Sequence, residues 1–227
     1  MLPANVSHHT VPQGSEAWRT LRLGVLTGSR AYGVTTKSRT AGAPSETRKN
    51  LLTELVLETL PGKTQAKDVS DRPAVQDGLE REPLARRRCE AVEGWVIQES
   101  GFLRVVGSPV GCSLDGYLGD FSELISIKCR QPKAHYAHLR TGEIPKDARV
   151  QMAHELWVTG AEGHHYVSFN PDFPERLQYH RVAFTRANVI DGGVDAYAEM
   201  AEAFLEELKL EVASATAMEL LEDGHGR

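Results

Sequence analysis

Apolar residues recur every three or four positions in some stretches of the chain and at alternate positions in others, and the two patterns divide it into helices and strands. Ser15, a capping residue, stands ahead of Trp18, Leu21 and Leu23, which predicts a short helix over 15–23 and then a turn at Thr27-Gly28-Ser29. Residues 36–48 are polar, small and proline-bearing, the composition of a surface loop able to close over a substrate. Leu51, Leu52, Leu55, Val56 and Leu57 predict a helix over 50–59, ended by Pro61-Gly62. Leu84, Val92, Trp95 and Val96 continue the helical spacing over 75–100. Beyond Gly101 the pattern turns to strand at 102–106, 110–114, 117–118 and 124–129, where Ile125 and Ile127 alternate, and reads as a meander. Helices over 133–139 and 148–158 precede strands over 166–169 and 179–184. A final amphipathic helix over 194–210 carries Tyr197, Met200, Ala201, Phe204, Leu205 and Leu208 on one side. The expectation is an α+β fold, a central mixed β-sheet flanked by helices, as a single domain over 15–212 between a flexible arm (1–14) and a frayed tail (213–227).

Composition narrows the class. With 227 residues and 41% hydrophobic content, the chain can bury a core. No stretch approaches the ~18 uncharged apolar residues of a membrane span, and the N-terminus lacks the order of a secretory signal, so a soluble, cytoplasmic protein is expected. Cys89, Cys112 and Cys129 lack the spacing of a disulfide framework or a zinc site. A net charge of −5 argues against a protein that coats nucleic acid but fits an enzyme whose site clusters carboxylates.

The candidate chemistry lies in SLDGYLGDFSELISIKCR, residues 113–130. Asp115 falls at a turn after an apolar strand, and Lys128 falls late in the next alternating strand, so a hairpin would bring them together at one sheet end. A carboxylate to hold a metal ion and a lysine to position water are what magnesium nucleases need. Taken alone, Asp115-Gly116 reads as a turn pair and Lys128 as a strand-edge lysine.

Together with WRTLRLGVLTGS near the N-terminus, GLERE at 78–82, GCSLDGYL at 111–118, SIKC at 126–129 and VQMAHELWVTG at 150–160, this stretch resembles the lambda exonuclease (YqaJ-type) branch of the PD-(D/E)xK nucleases over roughly 11–210. The resemblance implies a restriction-endonuclease-like core and a processive 5′ to 3′ exonuclease acting on linear duplex ends. It implies Mg²⁺, two ions, with Mn²⁺ a substitute. By the same resemblance Asp115 is the metal-bridging acid, Lys128 the motif lysine, Glu82 an acid from a preceding helix, Gln151 the helical glutamine, and Ile127 a carbonyl ligand. Arg22, Ser29 and Ser113 match positions that hold the terminal 5′-phosphate. The implied partners are DNA ends, two further copies in a homotrimeric ring, and a single-strand annealing protein, in a phage or prophage setting.

The resemblance breaks at one place. The family carries Glu or Asp two positions before the lysine, and here that position is Ser126. A hydroxyl is a poor replacement for a carboxylate on Mg²⁺, so Ser126 puts the activity of this chain in doubt. Three accounts stand open: Glu123 reaches in across a bulge, the chain is a degenerate copy, or serine was introduced to trap substrate. The rival readings are another PD-(D/E)xK endonuclease or a Cas4-like resector, against which the scattered cysteines argue, and a DNA-end-binding module without chemistry. Around the motifs, Glu82 could lie on a solvated helix face, Trp18 and Trp157 read as core anchors, and His164 and His165 as surface imidazoles. Arg86, Arg87 and Arg88 could hold DNA or face solvent; Lys37, Arg39, Arg48 and Lys49 are the stronger DNA candidates.

Overall fold

The computed structural model of the protein describes every residue except Arg39, Ala41, 63–72 and 225–227, and only the backbone at 73–76, 79 and 218–224. Among the described residues the strands divide between two four-stranded sheets. Val6–His9 (β1), Leu26–Thr27 (β2), Phe102–Val105 (β3) and Val110–Cys112 (β4) form one, in the order β1-β3-β4-β2. Gly116–Leu118 (β5), Glu123–Cys129 (β6), Gly163–Phe169 (β7) and Tyr179–Thr185 (β8) form the other, in chain order. Both sheets are mixed: β2 runs parallel to β4, and β6 parallel to β7, while the other pairs are antiparallel.

Three expectations need correction here. The meander expected over 102–129 breaks after β4, because residues 113–115 carry the chain from the first sheet to the second. Glycine permits the entry into β5: a Cβ on Gly116 would lie 2.4 Å from Ile97 Cγ2. The arm expected at 1–14 contains β1, paired in register with β3 so that Val6 faces Val105, and the Gln13 amide donates to the carbonyls of Ser100 and Leu114. A strand as short as VSHH has no period to read. The helix expected over 75–100 stops at Glu93, where Gly94 takes the left-handed conformation that ends helices.

Helices surround the sheets. They are Glu16–Leu21 (α1), Tyr32–Thr35 (α2), Glu46–Thr59 (α3), Pro73–Glu93 (α4), Pro132–Thr141 (α5), Lys146–Thr159 (α6) and Gly193–Gly224 (α7). Ser15 caps α1, accepting from the Trp18 amide as its position predicts, and α7 continues to Gly224, well past the expected end. None of the described helices is long and apolar enough to cross a membrane. The α5–α6 crossover is what a parallel β6–β7 pair requires.

Period-two alternation makes β6 two-faced. Ile125 and Ile127 pack with Ala85 and Cys89 beneath α4, whereas Leu124 joins the main core with Met152 and Leu156 of α6. Ser126 and Lys128 therefore share the face turned to α6. On β7, Tyr166 pairs with Ser126 and His164 with Leu124, so these lie on that face as well. Helix α6 is buried nearly all round, and His154 ties it to both neighbours, bonding the Tyr197 hydroxyl of α7 at 2.7 Å and the Gly111 carbonyl of β4 at 2.9 Å.

Candidate active site

The three-residue link between the sheets carries Ser113 at one end and Asp115 at the other. It is pinned midway, since the Leu114 amide donates to Ser100 Oγ and its carbonyl accepts from Gln13. Asp115 lies just before β5, opposite the far half of β6. Its Oδ2 accepts from the Ile127 amide at 2.8 Å and from Lys128 Nζ at 3.2 Å, so the aspartate and lysine meet as the hairpin argument predicts. The N–H and C=O of one strand residue point to the same edge, so the Ile127 carbonyl is directed to the side on which Asp115 lies.

Glu82 approaches from α4, the next turn of which supplies Arg86. Arg86 Nη2 donates to the Asp115 carbonyl at 2.7 Å and to Glu82 Oε1 at 3.4 Å, bracing the helix against the link. Arg86 is thus a strut of the site, whereas Arg88 reaches Glu175 at 3.1 Å and Arg87 is exposed. Burial, and then the neighbouring Asp115, push the Glu82 carboxyl above its usual range. Asp115 and then Glu155 raise Lys128, which holds its proton more firmly than a free lysine. A cavity of about 790 Å³ opens beside Glu82, Arg86, Glu99 and Asp115, room on the scale of small-molecule sites.

Gln151 sits inside α6 and donates to Glu155 Oε1 at 2.8 Å, while His164 Nε2 lies 2.6 Å from Glu155 Oε2. His164 and His165 are both buried on β7, which corrects their reading as surface imidazoles. Two adjacent strand residues point to opposite faces, and here each face is covered. His165 bonds Glu123 at the start of β6. Glu123 is thereby committed, on the strand's opposite face and three residues from Ser126, and does not fill the place of the missing acid.

At the other end of the link, Arg22 lies with its guanidinium 4.2 Å above the Trp18 ring. It donates to Ser113 Oγ at 3.4 Å, Ser29 Oγ at 3.2 Å and Thr27 Oγ1 at 3.4 Å, and Trp18 Nε1 donates to Ser113 Oγ at 2.8 Å. Arg22, Ser29 and Ser113 converge, as the sequence implies. Trp18 is half-buried in this cup and is not a core anchor, whereas Trp157 does pack against the core. Burial, and then Arg30, lower Arg22 to about 10.

Among the described DNA candidates, no hydrogen bond or ion pair ties Lys37, Arg48 or Lys49 to this group. Arg48 is tied to Glu207 at 2.5 Å and lies 5.1 Å from the Phe204 ring, joining α3 to α7. Lys49 is exposed beside Glu46, Lys37 is exposed in a bridge with Pro44, and Arg39 lies outside the described residues. Sequence reasoning missed Glu155, Thr27 and the strut Arg86. For Glu155 the sequence offered only its place four residues after Gln151, on the same side of the helix.

The donor set suits a hard divalent cation. Asp115, Glu82 and the Ile127 carbonyl are all oxygens, and the mutual repulsion of the two carboxylates is what a cation relieves. Among the described residues no three His, Cys, Asp or Glu side chains form a ready-made cage, and Asp115 is turned to Lys128.

Mixed sheets flanked by helices, with an aspartate and a lysine joined at a hairpin and an acid on the preceding helix, define a PD-(D/E)xK-type α+β core. The YqaJ-like viral recombinase domain matches residues 17–162, and the chain belongs to that family. Among solved structures it is similar to an alkaline exonuclease, LHK-Exo from Laribacter hongkongensis, at 28% identity and a TM-score of 0.78, covering 91% of this chain and 98% of that one. LHK-Exo in complex with dAMP matches at 29% identity and a TM-score of 0.75, over 91% and 100% of the two chains. A phage related exonuclease from Haemophilus somnus 129PT, at 14% identity and a TM-score of 0.57 over 82% and 96% of the chains, shares the fold. No curated protein matches the sequence.

Proposed function

We propose that the protein is a Mg²⁺-dependent exonuclease that degrades linear double-stranded DNA from the 5′ end, releasing mononucleotides and leaving a 3′ single strand. The observation that carries this reading is the pairing of two unlike sites on one short link: the Arg22–Ser29–Ser113 cup and the Asp115–Lys128–Glu82 group. Among the described residues the side-chain hydrogen-bond partners of Arg22 are hydroxyls, so a terminal phosphate would bring an anion into direct contact with this guanidinium. The similarity to LHK-Exo, described as an alkaline exonuclease and solved with dAMP, supports the same substrate class.

Asp115, Glu82 and the Ile127 carbonyl would hold the metal. When bound, Mg²⁺ supplies Lewis-acid polarisation of the scissile phosphate and neutralises its charge. Lys128 directs an ammonium at the attacking water and at the charge gathering on the phosphate. The Gln151 amide orients its neighbours on α6, and the Arg22 cup sets polarity by seating the 5′ end. A homotrimeric ring around DNA, a single-strand annealing partner and a phage-type cytoplasmic setting complete the reading. One observation favours a second reading, an end-binding module without chemistry: Ser126 is buried at the motif position and offers no carboxylate.

Digestion of linear duplex in Mg²⁺ tests the proposal, with 5′-phosphate and 5′-hydroxyl ends compared and each strand labelled separately. Loss of the 5′-ended strand as mononucleotides, faster from phosphorylated ends, is expected. Binding of ends without any cleavage would favour the module.

A further inference from the structure

We propose that Glu155 supplies, from helix α6, the metal-binding carboxylate that Ser126 does not supply from β6. The inference rests on the metal-dependent reading above and names a residue that reading does not contain.

Ser126 shares a face of β6 with Lys128, and that face meets α6. Serine is short, so the space a longer acidic side chain would take on this face is left to the facing helix. Glu155 comes from that helix. It is 1% exposed, and its two oxygens are fixed, Oε1 by the Gln151 amide at 2.8 Å and Oε2 by His164 at 2.6 Å. His164 stands one ladder step from the Ser126–Tyr166 pair, on the same face. The charge of Glu155 is felt by Lys128 on one side and by Cys112 on the other.

The turn carrying the phosphate cup closes over this carboxylate. A Cβ on Gly28 would stand 3.1 Å from Glu155 Oε1 and 3.2 Å from Gln151 Cγ, and Gly28 lies between Thr27 and Ser29. Glu155 is therefore placed between the cup and Lys128, beside the position a scissile phosphate would take on the proposed reading. A buried carboxylate is costly unless a cation or strong donors compensate it. Among the described residues its side-chain hydrogen-bond partners are an amide and an imidazole, and the neighbouring ammonium of Lys128 is engaged by Asp115. A divalent ion held by Asp115 and Glu155 would give both carboxylates the counter-charge that Lys128 alone divides between them.

The alternative is that Glu155 only fastens α6 to β7 through His164. Glu155→Gln separates the two, because the amide keeps the size and most of the hydrogen bonding but loses the charge. Mn²⁺ binding to the full chain, followed by electron paramagnetic resonance and by titration calorimetry, is compared for the unaltered protein, Glu155→Gln, and Ser126→Glu with Glu155→Gln, each checked for an unchanged circular dichroism spectrum and melting point. The unaltered protein should bind Mn²⁺, Glu155→Gln should bind about tenfold or more weakly, and the double variant should recover binding. Equal binding by the unaltered protein and Glu155→Gln overturns the inference, as does binding that appears only once Ser126→Glu is present. Should Glu155→Gln not fold, failure of the double variant to bind Mn²⁺ while folding overturns it, and recovery supports it. Duplex digestion with the same three proteins keeps the two readings apart. If Mn²⁺ binding follows the expected pattern but none of them cuts, the exonuclease reading fails and this one stands; if Glu155→Gln cuts as well as the unaltered protein, the reverse holds.

Discussion

Lys128 keeps its proton because Asp115 lies 3.2 Å away and Glu155 is near, and both outweigh the burial that would otherwise expel the charge. On the function proposed above, such an ammonium acts electrostatically, holding water and meeting negative charge on the phosphate. Replacing it with an apolar side chain of similar length should therefore remove rate and leave end binding largely intact. Lys128→Met is expected to lower the single-turnover cleavage rate by about 10²–10³, with affinity for a 5′-phosphorylated duplex end in Ca²⁺ changed much less. A parallel loss of end affinity would mean that Lys128 anchors DNA. For Arg22 the expectation is the opposite. Arg22→Ala empties the cup of its cation, so the rate advantage of phosphorylated over hydroxyl ends should shrink towards unity, and an advantage left intact would place the 5′-phosphate elsewhere. Asp115 and Lys128 were legible as a pair because alternation and a turn fix where two strand ends meet. Glu155 was not, because a charge inside a helix normally points to solvent, and only the packing of α6 between the sheet and α7 turns it inward.

Helix α6 shows how far an element can be read from its pattern. Its existence followed from Met152, Leu156 and Val158, but its burial on nearly every side did not, since His154, Glu155 and Thr159 break the apolar periodicity that marks a buried helix. His154 and Glu155 are buried because each finds a partner on another element, and Thr159 because its hydroxyl donates back to the Glu155 carbonyl one turn earlier. The same limit applies to His164 and His165, whose strand was expected to begin only at 166; their partners, Glu155 on the preceding helix and Glu123 at the start of β6, lie on other elements. His154 makes the consequence measurable. Burial lowers it to about 4 from 6.5, so between those values the unfolded chain binds a proton that the folded chain refuses. Stability is then full above about pH 6.5 and falls as the pH drops towards 4, by about 3 kcal/mol in total at 1.4 kcal/mol per unit. Burial shifts His138 and His165 in the same direction. Melting in EDTA from pH 7.5 to 4.5 should show a steady loss that is shallower in His154→Gln, and identical slopes would mean that acid sensitivity originates elsewhere.

At the scale of the whole molecule, the two sheets are separate frames and residues 113–115 are the bridge that sets the distance between their functions. Ser113 closes the cup just after β4, and Asp115 begins the Asp115–Lys128–Glu82 group just before β5. Two residues of extended chain span at most ~7 Å, and the link is held at Leu114 by Ser100 and Gln13, so it does not stretch. A strand advances ~3.4 Å of helix axis per nucleotide, which makes the separation that of one nucleotide step or two, not several. With the terminal phosphate seated against Arg22 as proposed, the bonds within reach of Asp115 and Lys128 are the first along the strand, and the mononucleotide product proposed above corresponds to the nearest of them. Chromatography of early products from a 5′-phosphorylated duplex should therefore show 5′-mononucleotides from the first turnovers onward. Arg22→Ala should blur that register and admit some longer fragments, because the end is no longer held at a fixed distance from the cut. Dinucleotides or longer products from the unaltered protein would show that the cup does not seat the terminal phosphate and that the link is a structural joint alone.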